Sequence, residues 1–232
     1  MTHPWTRRAV LATGAALAAS PALARPKTVT WTFDRLTDIG GVPTHVEGDP
    51  TLIRSPFGKA VLFDGVDDRL VIDQHPFAGA ARFTAEALFR PDGGAQAQRW
   101  MHIAEDPQAP TDGPPLNTRM MFEIRTENGQ WWLDTYVTGP GYKQTLIFPD
   151  KTFPIGRWYA VAQSFDGKMY RCFVDGVLQG EAEIAFKPQG PGKASIGARM
   201  NKIDYFKGAI RQARFTHAAL DPRHFLSAKA AR

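Results

Sequence analysis

Residues 119–136 read RMMFEIRTENGQWWLDTY. Asn128-Gly129 suits a two-residue type I′ turn, and polar and apolar residues alternate on both sides of it, so the stretch is read as a β-hairpin. Counting back from the turn sets the register. Arg125 falls opposite Trp132, Glu123 opposite Asp134, and Met121 opposite Tyr136. Side chains alternate along a strand, so these six share one face with Arg119. The other face carries Met120, Phe122, Ile124, Trp131, Leu133, Thr135 and Val137 and is read as the core side.

The polar face poses an electrostatic problem. Carboxylates directly opposite each other on neighbouring strands have Cβ atoms about 4.5–5.5 Å apart and repel. Arg119 and Arg125 can bridge them, a cation can, or one carboxyl can hold its proton through a raised pKa. One reading is a salt-bridge network on an exposed sheet face. The other is a binding or catalytic surface, which Trp132 and Tyr136 favour, because rings on a polar face suit stacking on a sugar or another flat ligand.

The remaining composition narrows the function classes. A chain of 232 residues that is 43% hydrophobic and 11% aromatic can bury a full core. The formal charge of +5 includes Arg7 and Arg8 near the start, and Lys and Arg are otherwise dispersed, which leaves no nucleic-acid footprint. The single Cys172 excludes an internal disulfide and a Cys-based zinc site, and in MYRCFVDG (169–176) it reads as a small buried apolar residue. No metal-spaced His pair and no G-x-S-x-G elbow is present.

The opening MTHPWTRRAVLATGAALAASPALA has a basic start, a short apolar run and the small-residue pattern Ala22-Leu23-Ala24. Thr6-Arg7-Arg8-Ala9-Val10-Leu11 resembles a twin-arginine export signal. Residues 1–24 are therefore expected to be a removed export signal, with residues 25–232 a single domain that works in the periplasm or outside the cell. The apolar run is too short for a stable membrane span.

Short strands are expected at 29–36, 59–65, 68–73, 82–91, 99–106, 145–149, 158–167, 168–179, 193–198 and 207–216, with a long, weakly patterned connection up to Pro56 and a Pro-rich loop over 106–118. Only LDPRHFLSAK (220–229) hints at a helical turn. Regular short strands with turns between them point to an all-β, two-sheet antiparallel sandwich.

A family resemblance supports this fold. FGKAVLFDGVDD (57–68), FTAEALFRP (83–91), Trp158 to Val161, FDG (165–167), FVDG (173–176), Ser195-Ile196-Gly197, YFKGAI (205–210) and ALDP (219–222) follow in order. Together they resemble the laminin-G-like jelly rolls of the concanavalin A-like lectin/glucanase superfamily. The likeness implies two packed sheets, one concave, with ligand on the concave sheet, where the hairpin's polar face would lie. The superfamily includes sugar-binding modules, glycan-cleaving enzymes and interaction domains. Its jelly-roll glucanases carry Glu-x-Asp-x-Glu on one strand, and the nearest strand here reads Phe122-Glu123-Ile124-Arg125 instead.

The first expectation is a secreted carbohydrate-binding protein that holds a polysaccharide or oligosaccharide through Arg119, Glu123, Arg125, Trp132, Asp134 and Tyr136. The alternative is a glycan-cleaving enzyme with Glu123, Asp134 and His102 as catalytic candidates. A glycosidase would use the two carboxyls, and a lyase would use Arg119 or Arg125 to neutralise a uronate and His102 as base. His102 is read on a strand with Trp100 on the same face. A third possibility is a non-sugar interaction domain with a salt-bridged face. No cofactor is expected. Asp64, Asp67 and Asp68 make calcium possible, as oxygen ligands on a short turn.

Overall fold

The alternation seen in the sequence produces strands almost throughout. The protein is described as a computed structural model, in which residues 25–106 and 118–229, together with Met1, are placed. The expected export signal, apart from Met1, and residues 107–117 of the expected loop lie outside the described residues.

In chain order the strands are β1 (Thr28–Thr32), β2 (Asp38–Ile39), β3 (Val42–Glu47), β4 (Thr51–Ser55), β5 (Gly58–Asp64), β6 (Arg69–Ile72), β7 (Phe83–Pro91), β8 (Ala97–Glu105) and β9 (Arg119–Glu127). They continue with β10 (Gln130–Gly139), β11 (Tyr142–Ile147), β12 (Phe153–Pro154), β13 (Tyr159–Phe165), β14 (Met169–Val174), β15 (Val177–Glu183), β16 (Gly192–Ile196) and β17 (Lys207–Thr216). A single 3₁₀ turn, Pro222–His224, is the helical feature of the described residues, capped by Asp221.

Two antiparallel sheets result. The eight-stranded sheet runs β15-β14-β13-β7-β17-β5-β4, with β1 also paired to β17. The nine-stranded sheet runs β11-β10-β9-β8-β16-β6-β3-β2, with β12 against β10. This is the jelly-roll sandwich expected from the sequence.

The hairpin register agrees with the count from the turn: Arg125 pairs with Trp132, Glu123 with Asp134 and Met121 with Tyr136. Asn128 and Gly129 both take positive φ, 49° and 75°, as a type I′ turn requires. The stretch 168–179 is two strands, because Asp175 (φ 49°) and Gly176 (φ 78°) turn the chain back on itself.

The connection before Pro56 departs from expectation. It contains β2, β3 and β4. These strands are short and largely solvent-facing, and β4 and β2 end their sheets, so no apolar alternation announces them. Pairing of β3 with β6 and of β4 with β5 makes them strands.

The core lies between the sheets and is rich in aromatic rings. Phe89 sits at its centre, with ring centroids 5.4 Å from Trp100, 5.1 Å from Trp131 and 6.1 Å from Phe206. The expected core face of the hairpin is buried as read, including Met120, Phe122, Ile124, Trp131, Leu133 and Val137. Thr135 also points inward and its hydroxyl lies 3.3 Å from Cys172 Sγ, which is fully buried.

On the far side of the eight-stranded sheet, the segment after β17 packs down. Phe225 meets Phe173 at 5.1 Å, and the buried Glu86 accepts two hydrogen bonds from Arg214 and one from the Leu226 amide.

Trp131 ties both sheets together, touching Phe89, Phe153 and Tyr159. Trp131→Ala is expected to cost about 3–5 kcal/mol of stability, the range for truncating a large buried ring. Urea denaturation would register this as a lower midpoint at unchanged slope.

Candidate functional site

The outer face of β8, β9 and β10 gathers the charged residues. Glu123 and Asp134 face each other across the hairpin and are only 3% and 1% exposed. Burial of two facing carboxyls demands counter-charge, because an unpaired buried ion costs several kcal/mol. Arg125 Nε donates to Asp134 Oδ2 at 2.7 Å. Glu123 takes its partner from outside the hairpin: Arg99 Nε of β8 donates to Glu123 Oε1 at 2.7 Å. The hairpin arginines alone thus account for one carboxylate, and Arg99 accounts for the other. Arg119 instead lies over the Tyr136 ring, its guanidinium carbon 5.9 Å from the centroid.

Arg99 owes its placement to a β-bulge. The β8–β9 register shifts between Arg99 and Met101, so Arg99 stays opposite Glu123 while Met101 pairs with Phe122. A bulge inserts one extra residue and reverses the facing of the residues after it. The result corrects the expectation that Trp100 and His102 share a face. Trp100 is in the core, 5.2 Å from Phe122, and His102 is on the outer side opposite Met121.

His102 is poorly suited to acid–base work. It is 4% exposed, and the Met200 amide donates to its Nδ1 at 3.1 Å. Burial, helped by the charges of Arg199, Arg119 and Arg99, pushes its pKa down to about 3. The neutral ring therefore carries its hydrogen on Nε2, which is buried and has no hydrogen-bond partner among the described residues. The structure brings His102 near the arginines, but it does not line the open site.

The open site is a shallow depression of about 340 Å³ over the hairpin. Arg99, Arg119, Arg125 and Arg199 line it, with Glu123, Asp134 and Tyr136. Tyr136 is half-buried and has Lys143 Nζ 6.0 Å from its ring centre in addition to Arg119. Trp132 lies on the expected face, but it is 8% exposed and does not line the depression, so its ring presents no open stacking surface. Asp134 Oδ1 is buried without a partner among the described residues and remains a hydrogen-bond acceptor.

Arg99, Arg199 and Asp204 are the site residues that sequence reasoning missed. Asp204 accepts an ion pair from Arg99 Nη1 at 3.1 Å. Arg99 stands two residues before Met101 on a strand that the sequence does announce. Its role follows from its register against Glu123, which needs the order of strands in the sheet.

Asp64, Asp67 and Asp68 do cluster, with one carboxylate oxygen of each within 4.8 Å of the others. Two of the three carboxylates already serve the turn: Asp64 Oδ1 accepts from the Val66 and Asp67 amides, and Asp68 accepts from the Asp49 and Asp64 amides. A short Asp-rich turn needs such bonds for its own stability.

The fold and the site together invite comparison with known proteins. The model of the concanavalin A-like lectin/glucanases superfamily (Laminin_G_3) matches residues 64–224, and the chain belongs to this family. No curated protein matches its sequence. Among solved structures, domain 4 of AbnA, a GH43 extracellular arabinanase from Geobacillus stearothermophilus, in complex with arabinotriose, is similar at a TM-score of 0.64 and 16% identity, over 86% of this chain and 97% of that one. The receptor binding domain of botulinum neurotoxin C/D mosaic serotype is similar at 0.60 and 10% identity, over 84% of this chain and 49% of that one. A botulinum neurotoxin type C structure, whose cell entry depends on interaction with two ganglioside molecules, is similar at 0.56 and 12% identity, again over 84% and 49%. These likenesses establish the shared fold.

Burial raises the Glu123 carboxyl to about 7, with Arg99 opposing the rise and Asp134 adding to it. Folded Glu123 keeps its proton to about pH 7, whereas an unperturbed glutamate releases it near 4.5. Its contribution to stability is complete below pH 4.5 and is lost as pH rises to about 7. Denaturant titrations from about pH 4 to about pH 8 should show wild-type stability falling through that window and Glu123→Gln falling less. A parallel fall in both proteins would count against a proton on Glu123.

Proposed function

We propose that the protein is a carbohydrate-binding jelly roll that takes a saccharide in the depression over β9 and β10 and works after export from the cytoplasm. The observation that carries this reading is the lining of one surface depression, where Glu123 and Asp134, four arginines and the Tyr136 ring come together. Sugars are recognised by this combination of fixed polar groups and an aromatic face. Support of a weaker kind comes from similar structures that hold arabinotriose or depend on gangliosides. No helix among the described residues is long and apolar enough to cross a membrane.

Glycan cleavage is a second reading, favoured by one observation. Glu123 is a carboxyl with a raised pKa facing a second carboxyl, the pattern of a glycosidase acid and nucleophile. Against it stands the burial of both groups, each held by an arginine, which leaves neither carboxyl openly presented to a scissile bond.

Affinity electrophoresis through a panel of neutral and acidic polysaccharides, with chromatography of the soluble fraction, tests both. Binding predicts retardation on at least one polymer without new oligosaccharides, and several-fold weaker retardation for Tyr136→Ala, in line with the modest energy of one ring contact. Oligosaccharide release that disappears in Glu123→Gln would instead make the protein an enzyme.

A further inference from the structure

The depression carries more positive charge than its own carboxylates use. Arg125 is committed to Asp134, and Arg99 to both Glu123 and Asp204. Arg119 is placed over Tyr136. Arg199 differs, being half-buried at the depression with no hydrogen bond or ion pair from its guanidinium among the described residues. A half-buried guanidinium that has given up part of its hydration without a counter-ion is poised for an anion.

The loop that bears Arg199 is built to hold it there. The Arg199 amide donates to Ile203 O and its carbonyl accepts from the Lys202 amide. The next residue, Met200, donates its amide to His102 and accepts at its carbonyl from Arg69 Nη1. Lys202 Nζ pairs with Glu47 at 3.1 Å, and the Asp204 carbonyl accepts from the Arg99 amide. Lys202 and Asp204 both sit in the left-handed region, at φ 59° and 58°. Non-glycine residues rarely adopt this conformation, and such strain persists where surrounding contacts over-determine it, often at binding sites. The guanidinium is therefore presented from a pinned loop, which lowers the ordering cost of ligand capture.

Resting on the reading of this depression as a saccharide site, we infer that its ligand is an acidic sugar of the uronate type, whose carboxylate docks on Arg199. A planar carboxylate matches the guanidinium fork in two parallel hydrogen bonds. A protonated Glu123 lowers the negative charge that an incoming carboxylate meets.

The test uses the full chain in affinity electrophoresis against alginate and polygalacturonate, each beside its carboxyl-reduced neutral counterpart, and against a sulfated galactan. The expected result is retardation on at least one polyuronate, at least tenfold stronger than on its reduced form and weakening with added salt. Arg199→Gln, checked for unchanged thermal stability, should lose at least tenfold on the polyuronate. Retardation on neutral polymers alone, stronger retardation on the sulfated galactan, or full polyuronate binding by Arg199→Gln would each overturn the inference while leaving a saccharide site intact. Absence of retardation on every polymer would overturn the saccharide reading as well. The comparison of a polyuronate with its reduced form needs no variant, so the inference is tested even if Arg199→Gln does not fold.

Discussion

Two carboxyls buried side by side on adjacent strands need positive charge within reach, and that need organises the outer face of the nine-stranded sheet. Asp134 is answered within its own hairpin by Arg125. Glu123 is answered by Arg99 from the next strand. Arg99 is in turn joined to Asp204 through both its side chain and its backbone, which attaches the loop before β17 to the site. A pair of facing carboxyls thus recruits a neighbouring strand and a distant loop. Surface ion pairs contribute little to stability, but these carboxyls are desolvated, and breaking either pair would leave an uncompensated buried group. Clusters of this kind, with a raised carboxyl at their centre, are where functional sites concentrate.

The same strands have to build the aromatic core, and the bulge in β8 lets them do both. Trp100, Met101 and Ile103 face inward and are buried, while Arg99 and His102 remain outside. A strict two-residue period cannot send Trp100 and Met101 to the same side. The bulged residue brings a large ring against Phe89 and Phe122 without costing the sheet its charged face. The core therefore supports the site from directly beneath, and the depression rests on a rigid floor rather than on loops alone.

Much of this arrangement is legible in the amino-acid sequence. The Asn128-Gly129 turn has few conformations open to it, and the count from that turn yields every pair across the hairpin. Ordered motifs from Phe57 to Pro222 carry the family, since each reflects a turn or a strand start that the jelly roll needs. The problem posed by Glu123 opposite Asp134 is visible too, as is one of its solutions, a raised carboxyl. Other features are not. Unbroken alternation puts Trp100 and His102 on one face, and the bulge separates them. Strands β2 to β4 escape notice because edge strands need no apolar stripe. Trp132 reads as a stacking ring, yet burial of a side chain depends on what lies over it, which alternation does not reveal.

By itself the sequence determined which residues share a face within the 119–136 hairpin and that the strands form an all-β sandwich, because turn chemistry and side-chain period are local properties. Only the tertiary structure decided which strands lie side by side. That choice set Arg99 against Glu123, carried Arg199 to the depression from the loop between β16 and β17, and buried His102. Such contacts depend on strand order and on one extra residue in β8, and neither is written in the spacing of polar and apolar residues.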